Sequence, residues 1–409
     1  MWNWILFVFI YVLTGFYAFQ AIRVFTRSPY ILLAYVVLTL VVVVNFMYHF
    51  AFYQGEKGIS GDRSYALAYL LILMVFQLIV IIFLLGEDLA RLIIGGFRKW
   101  MGKPSGAVVP SRRKFLSAVA LGVASIPFAG LLYGMYKGKY DFQVLRHTLE
   151  FDDLPEAFDG YRITQISDIH SGSFDDKEKV AYAIDLINGQ ESDLLLFTGD
   201  IVNNKSEELL PWMDIFSRLE ARDGLYSVLG NHDYGDYAQW DSDAEKEANM
   251  EQLKKLQRQL GFDLLLNESR QISKGKDHIS LIGVENWGAG GFKKAGDLDK
   301  AVKGVDKDAF KILMSHDPSH WEQEVIDHPY HYHLTLSGHT HGMQFGVEIP
   351  GWIKWSPIKW RYKYWAGIYK EMGQYINVNR GLGYLGYPGR FGIWPEITVI
   401  ELKKAGKTA

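Results

Sequence analysis

The chain has 409 residues, enough for two or three domains, and its 43 Lys and Arg against 46 Asp and Glu give a net charge of −3. This balance provides no basic field, so the composition does not favour binding to nucleic acid. Because the chain contains no cysteine, disulfides, thiolate metal sites and a cysteine nucleophile are all excluded.

The first part of the chain contains four long apolar segments. They lie at residues 2–22, 31–53, 66–86 and 115–136. Each is close to or above the ~18–20 residues that a helix needs to span a bilayer. Soluble helices are rarely apolar on every face over such a length. These segments therefore predict an all-α transmembrane region with four helices, over residues 1–139.

The charges between the spans predict the orientation of this region. Arg23 and Arg27 follow the first span. The second loop carries charges that cancel, namely Glu56, Lys57, Asp62 and Arg63. The third loop is strongly basic and contains Arg91, Arg98, Lys99, Lys103, Arg112, Arg113 and Lys114. The positive-inside rule places the first and third loops in the cytoplasm. The N-terminus and everything after the fourth span are then predicted to face outward.

A short motif precedes the fourth span. Ser111-Arg112-Arg113-Lys114-Phe115-Leu116 resembles the twin-arginine export signal, which is read by a translocase that moves folded proteins. The alternative is that the arginines only anchor a helix on the cytoplasmic side. Both interpretations predict a multi-pass protein of the cell membrane with an extracytoplasmic C-terminal domain. The first also implies the twin-arginine translocase as a partner during export.

From residue 140 onward, short apolar runs rich in β-branched residues alternate with helix-like segments. The predicted strands are 163–166, 194–197, 225–229, 279–284, 311–314, 333–336, 375–378 and 397–402. The predicted helices are 175–189, 207–219 and 244–260. This order predicts an α/β domain over residues 140–409 that becomes richer in strands toward its end, which indicates a layered sandwich.

Polar side chains follow five of the predicted strands. They form the ordered series Asp168-Ile169-His170, Gly199-Asp200, Gly230-Asn231-His232-Asp233, His316 and Gly338-His339-Thr340-His341. In α/β folds functional groups gather beyond the carboxyl ends of strands, and glycines there let the backbone approach closely. Oxygen and imidazole ligands in this arrangement could close around two metal ions, a combination that hydrolyses phosphate esters.

Taken together, the five motifs resemble those of the calcineurin-like metallophosphoesterase superfamily. Ser315-His316-Asp317-Pro318 and Asn379-Arg380-Gly381-Leu382-Gly383 further resemble its membrane-anchored bacterial phosphodiesterase branch. The resemblance implies a four-layer α/β/β/α sandwich that holds two divalent metal ions. Oxygen and imidazole ligands suit Mn, Fe or Zn, and the sequence does not choose among them.

The resemblance also implies roles for individual residues. Asp168, His170 and His341 would bind the first metal ion, Asn231, His316 and His339 the second, and Asp200 would bridge both. His232 would be the non-ligand histidine that faces the leaving group, with Asp233 supporting it. Asn203 stands where some relatives carry an aspartate that orients this histidine, and Met343 stands where the branch usually has glycine.

Residues outside these motifs have less specific patterns. Arg380 and Arg390 are candidates for phosphate contact, because a guanidinium fork matches phosphate oxygens, and a structural role is the alternative. The aromatic and basic segment 352–369 is either a packed surface hairpin or a surface for lipid headgroups. The histidines predicted not to bind metal are His320, His328, His331 and His333.

These patterns predict a membrane-anchored phosphoesterase that hydrolyses a phosphodiester by attack of a metal-bound hydroxide. A lipid-linked diester is one hypothesis for its substrate, with the bilayer and a lipid headgroup as partners and no nucleic acid. Two alternatives stay open: a pyrophosphatase acting on a nucleotide-linked lipid, and a metal-stabilised binding module without activity. The complete ligand set and His232 argue against the binding module, which has no need of a leaving-group histidine.

Overall fold

The computed structural model describes residues 2–52, 61–102, 110–349 and 351–406. The chain divides into two compact units. One comprises Met1–Tyr136 with Gly386–Pro388, and the other comprises Lys137–Leu385 with Gly389–Ala409.

The N-terminal unit contains four long helices. They are α1 (Trp2–Phe25), α2 (Pro29–Met47), α3 (Gly61–Trp100) and α4 (Pro110–Tyr136), and a π-helical turn over Tyr48–Phe52 extends α2. All four are long and apolar enough to cross a membrane, which confirms the prediction of four apolar helices in this part of the chain. Some predictions fall outside the described residues: the last residue of segment 31–53 and the charges at Glu56, Lys57 and Lys103.

The third helix is longer than predicted. The apolar segment ends at residue 86, but α3 continues without a break to Trp100. Arg91, Arg98 and Lys99 therefore lie on a helix and not in a loop. The residues that follow the apolar segment include Glu, Leu, Ala and Arg, which favour helix by their intrinsic propensity. The helix consequently extends beyond its hydrophobic part.

The twin-arginine-like motif lies at the start of α4. Arg113 Nη1 donates to Asp88 Oδ1 of α3 at 2.8 Å. The same carboxylate accepts a hydrogen bond from the hydroxyl of Tyr17 on α1 at 2.6 Å. One arginine of the pair thus joins three helices of this unit, a role that the sequence motif did not reveal.

The C-terminal unit contains strands and shorter helices. Its strands are β1 (Gln143–Phe151), β2 (Arg162–Ile166), β3 (Leu194–Phe197), β4 (Leu225–Ser227), β5 (Phe262–Leu264), β6 (Glu268–Lys274), β7 (Asp277–Gly283), β8 (Lys311–Met314), β9 (Leu334–Ser337), β10 (Val347–Ile349), β11 (Ile353–Trp355), β12 (Gly367–Glu371), β13 (Gln374–Val378) and β14 (Glu396–Lys404). Its helices are α5 (Lys177–Asn188), α6 (Met213–Phe216), α7 (Asp243–Gln259), α8 (Leu298–Ala301) and α9 (Pro318–His320).

Two six-stranded sheets form the centre of this unit. Their strand orders are β1-β14-β2-β3-β4-β5 and β12-β13-β9-β8-β7-β6. Successive residues of β3 show how the layers form: Leu194 and Leu196 pack between the sheets, while Leu195 and Phe197 pack under α5 and α7. The second sheet is covered on its outer face by α8 and by Trp321. The predicted four-layer α/β/β/α architecture is confirmed.

Some predicted elements differ from the structure. The segment 207–219 was predicted as one helix, but a 3₁₀-helix over Ser206–Trp212 leads into the short α6. Pro211 lies inside this segment and cannot donate a backbone hydrogen bond, which disfavours a regular α-helix. Six strands were not predicted: β1, β5, β6, β10, β11 and β12.

Candidate metal centre

Each predicted ligand lies where a strand has just ended. Asp168 and His170 follow β2, Asp200 follows β3 and Asn231 follows β4. These three strands run parallel, so their carboxyl ends lie together at one end of the first sheet. His316 follows β8, and His339 and His341 follow its parallel neighbour β9 in the second sheet. The backbone N–H of His339 donates to Asp168 Oδ2 at 3.0 Å, which connects the strand ends of the two sheets.

The backbone of these turns is strained. Five predicted ligands have φ between +47° and +70°: Asp168, His170, Asp200, His339 and His341. Residues with a Cβ rarely adopt this left-handed region, and each such residue costs about 1–3 kcal/mol. Gly338 allows the two sheets to approach, because a Cβ there would collide with Ser167 Oγ and Asp168 Oδ2. The fold therefore retains strain where the polar side chains converge.

A first group of ligand atoms comes from Asp168, His170 and His341. Their candidate ligand atoms all lie within 4.8 Å of one another, and all three residues are buried. His341 Nε2 lies 3.1 Å from Asp168 Oδ1 and 3.0 Å from His170 Nε2. A carboxylate and two imidazoles are suitable ligands for a divalent transition metal.

A second group comes from Asp200, His316 and His339, whose ligand atoms also lie within 4.8 Å of one another. His316 Nε2 is 3.1 Å from Asp200 Oδ2 and 3.3 Å from His339 Nδ1. Asn231 adds an amide oxygen, which lies 2.7 Å from His339 Nδ1. The structure thus brings together all seven residues that the sequence predicted as ligands, in two groups.

Asp200 lies between the two groups. Its Oδ2 is 3.1 Å from His316 Nε2 and 3.7 Å from His170 Nε2. Its other oxygen accepts the backbone N–H of His232 at 2.8 Å. A shared carboxylate suits two divalent ions placed about 3.5–4 Å apart. The residues present therefore fit a pair of such ions, with Asp200 facing both positions.

Buried histidines of the two groups have pKa values shifted in opposite directions. Burial alone would lower the pKa of His316, but Asp200 and Asp168 raise it to about 10. Burial and the neighbouring His341 hold the pKa of His170 well below its usual value. A metal ion displaces the proton from an imidazole that binds it. The negative field that keeps a proton on His316 would therefore favour a bound cation in its place.

Outer partners orient the rings, and the sequence interpretation missed two of them. His339 Nε2 lies 2.8 Å from the hydroxyl of Tyr362 and 3.3 Å from Asp317 Oδ2. His316 Nδ1 lies 2.7 Å from the carbonyl oxygen of Thr198. Such partners fix the tautomer and direction of a metal-binding ring. Asp317 follows His316 directly in the sequence, which was a usable signal. Tyr362 lies in the aromatic and basic segment 352–369, which follows the His339/His341 turn, but its contact with His339 was not predicted.

His232 lies beside both groups without belonging to either. Its ring centroid is 4.9 Å from that of His170 and 4.6 Å from that of Tyr237. Its Nδ1 lies 2.7 Å from the carbonyl oxygen of Asn203. Because a carbonyl only accepts, this contact places the proton on Nδ1 and leaves Nε2 for a substrate.

Two predicted helpers of His232 act through other atoms than expected. The side-chain amide of Asn203 donates to Ser173 Oγ at 3.1 Å, so the backbone carbonyl and not the side chain contacts His232. The carboxylate of Asp233 accepts backbone N–H groups from Gly230 at 2.8 Å and from Asp200 at 2.9 Å. Asp233 therefore positions the turns that carry Asp200 and Asn231.

Both arginines proposed for phosphate contact are buried among protein partners. Arg380 Nη2 donates to Glu348 Oε1 at 2.6 Å, and its Nη1 is paired with Glu396. Arg390 Nε donates to the carbonyl of Gly383 at 2.9 Å, and its Nη2 lies 3.3 Å from His341 Nδ1. These contacts favour a structural role for both, and phosphate contact stays a prediction.

Comparisons with known proteins agree with this geometry. Residues 2–139 match the family described as "Probable Calcineurin-like phosphoesterase, transmembrane domain", and residues 161–343 match "Calcineurin-like phosphoesterase". The uncharacterized metallophosphoesterase YkuE of Bacillus subtilis is 30% identical over 302 residues, which cover 72% of this chain and 98% of that protein.

Two further relatives connect this chain to bacteria and vertebrates. Phosphodiesterase YaeI of Escherichia coli is 27% identical over 294 residues, covering 71% of this chain and 99% of that protein. A transmembrane protein with metallophosphoesterase domain from Danio rerio is 27% identical over 282 residues, covering 67% of this chain and 60% of that protein.

The chain therefore belongs to the calcineurin-like metallophosphoesterases, as the motifs predicted. It is a membrane protein of this family and a metal-dependent hydrolase of phosphoric esters.

Proposed function

We propose that this protein hydrolyses phosphodiesters, using two divalent metal ions, on the outer face of the cell membrane. The observation that carries the proposal is the position of Asp200, whose Oδ2 faces His316 of one ligand group and His170 of the other. When bound, two divalent ions supply the charge that polarises a phosphate and activates water.

The chain's own residues account for the remaining steps. The buried carboxylates of Asp168 and Asp200 hold the ligand groups together and offset the charge of the ions. Protonated His232 donates from Nε2 to the leaving oxygen, a transfer that contributes about 10²–10⁴-fold in comparable enzymes. The carbonyl of Asn203 keeps Nδ1–H in place at 2.7 Å during this transfer. Asp233 holds the turns that carry Asp200 and Asn231 through backbone hydrogen bonds.

Metal-dependent hydrolysis by the full-length protein in bilayer discs tests this function. After removal of metal with a chelator, Mn²⁺, Fe²⁺ or Zn²⁺ should restore cleavage of bis-p-nitrophenyl phosphate. The same ion should stabilise the fold by about 2.7 kcal/mol at a concentration of 100 times its Kd. Stabilisation without hydrolysis of any phosphodiester would instead support a metal-stabilised binding module.

The outward orientation and the twin-arginine translocase are part of the proposal. Replacing both Arg112 and Arg113 with lysine keeps the positive charge of the motif but removes the arginine pair that the translocase reads. We expect this variant to retain the C-terminal unit in the cytoplasm, as measured by protease protection in spheroplasts.

A matched variant separates export from folding. Asp88→Asn removes the partner of Arg113 but keeps the arginine pair, so it should be exported. If the double lysine variant is exported as well as the wild-type protein, the arginines serve only as membrane anchors and not as an export signal.

A further inference from the structure

A small hairpin near the metal centre exposes large apolar side chains. Within the described part of the chain, β10 and β11 form an antiparallel hairpin separate from both six-stranded sheets. Trp352 and Trp360 are each 77% exposed. We define the hairpin surface by six residues: Val347, Ile349, Trp352, Ile353, Trp355 and Trp360.

The register of the hairpin places its apolar residues on one face. Val347 pairs with Trp355, and Ile349 pairs with Ile353, so these four side chains project to the same side. Trp360 contacts that side, with its ring centroid 6.1 Å from that of Trp355. Exposed apolar groups of this kind mark a site of interaction with a protein or a membrane.

The opposite face attaches the hairpin to the domain. The intervening pair is Glu348 and Lys354. Glu348 accepts hydrogen bonds from the buried Arg380 at 2.6 and 3.0 Å, and Lys354 donates to the carbonyl of Ala366. Because side chains alternate between the two faces of each strand, one face attaches the hairpin to the domain and the apolar face points outward.

Basic residues surround the hairpin surface. Lys359 and Arg361 flank Trp360, and all three are exposed. Arg361 stacks over the ring of Phe292, with its guanidinium carbon 5.1 Å from the centroid. Trp residues favour the boundary between lipid and water, and Lys and Arg favour anionic headgroups. The combination of exposed Trp and basic residues therefore favours an anionic bilayer over a neutral apolar partner for this surface.

Hydrogen bonds connect the hairpin segment to the ligand turn of β9. Ser356 Oγ donates to the carbonyl of Gly342 at 2.8 Å, and Thr340 Oγ1 donates to the carbonyl of Trp365 at 2.7 Å. The hydroxyl of Tyr362 lies 2.8 Å from His339 Nε2. A headgroup held at the hairpin surface would consequently lie beside the metal centre.

Met343 provides a separate observation in the same segment. Its φ is +57°, a conformation that suits glycine and costs a residue with a side chain about 1–3 kcal/mol. Its side chain is nevertheless 56% exposed and gains little from packing. The chain thus retains an exposed apolar side chain next to His341 at the expense of backbone strain.

We infer that the hairpin surface inserts into the interface of a bilayer containing anionic lipids and presents lipid-anchored phosphodiesters to the metal centre. The inference rests on the proposed phosphodiesterase function for its substrate, but not for the insertion itself. The chain between the last apolar helix and the C-terminal unit is short, since that helix ends at Tyr136 and β1 begins at Gln143. This short connection supports a membrane as the partner of the hairpin surface.

Insertion can be measured without any enzymatic activity. The chain has no cysteine, so Ile353→Cys introduces a single site for a bimane fluorophore. In the full-length protein in vesicles with phosphatidylglycerol, we expect brominated lipids to quench this label strongly. A label at Lys276→Cys, in the turn between β6 and β7, is the matched control and should show little quenching.

Two results would overturn insertion. One is equal quenching at both positions. The other is a label at position 353 whose fluorescence does not respond to brominated lipid. If that label also becomes shielded from water as the protein concentration rises, the surface binds a second copy of the chain instead.

The substrate part of the inference has its own test. Trp352→Ala with Trp360→Ala removes two side chains that contribute little to packing. Hydrolysis of a fluorescent phosphatidylglycerol in vesicles should fall by about tenfold or more, with cleavage of bis-p-nitrophenyl phosphate unchanged. An equal loss on both substrates, or no loss on vesicles, would contradict the inference. If the wild-type protein cleaves neither, the proposed function fails while the quenching result still decides insertion.

Discussion

Replacing Asp200 with asparagine is expected to reduce phosphodiester hydrolysis by more than about 100-fold, since loss of even an outer partner of a metal ligand costs about 10–100-fold. The side chain is nearly isosteric and can still accept the backbone N–H of His232 through Oδ1. The turn should therefore keep its conformation, while the negative charge shared by both ligand groups is lost.

The consequence for metal binding follows from the same geometry. Asp200 Oδ2 lies within 3.7 Å of an imidazole nitrogen of each group, so loss of its charge weakens both cation positions together. We expect metal titration of the variant to give weaker stabilisation and a higher ion requirement for activity. The control is Asp299→Asn, whose carboxyl is 94% exposed. Wild-type metal affinity and rate in the Asp200 variant would exclude a shared bridging carboxylate.

Replacing His232 with glutamine should lower kcat by about 10²–10⁴-fold and leave metal binding intact. The ring belongs to neither ligand group, and its Nδ1 contacts the carbonyl oxygen of Asn203. Loss of the ring removes a proton donor to the leaving oxygen but no metal ligand. Metal-induced stabilisation should consequently equal that of the wild-type protein.

The dependence on the leaving group makes this prediction specific. Nitrophenolate is a stable anion and needs little protonation, whereas an alkoxide needs a proton as it departs. The deficit of the His232 variant should therefore be much larger for alkyl diesters than for bis-p-nitrophenyl phosphate. His278→Gln, at an exposed position of β7, is the matched control. A uniform deficit across leaving groups would instead indicate a role in binding or in shaping the site.

The sequence predicted the central strands of both sheets and missed their edges. β14, β2, β3 and β4 in the first sheet and β13, β9, β8 and β7 in the second were all predicted. The missed strands β1, β5, β12 and β6 are the four edges of these sheets. An edge strand has a solvated side and often carries polar residues, as Glu268–Lys274 does. Its composition therefore lacks the apolar run that identifies a buried strand.

The candidate site shows a similar division between ligands and their supports. Position after a strand and a suitable side chain marked the candidate ligands, and the resemblance to the calcineurin-like metallophosphoesterases selected the seven from among them. Asn203 could not be assigned correctly, because the atom that contacts His232 is a backbone oxygen, which any residue type supplies. Arg380 illustrates the converse, since its guanidinium fork matches Glu348 and Glu396 as well as it would match a phosphate.

By itself, the sequence determined the apolar spans, the two buried sheet centres and the seven polar residues at strand ends, because burial and ligand chemistry depend on residue type. Only the tertiary structure decided which atoms meet. It placed Asp200 between two ligand groups, brought Tyr362 to His339 and turned one face of the β10–β11 hairpin outward. Such contacts depend on the three-dimensional approach of distant segments, and neither periodicity nor composition encodes that approach locally.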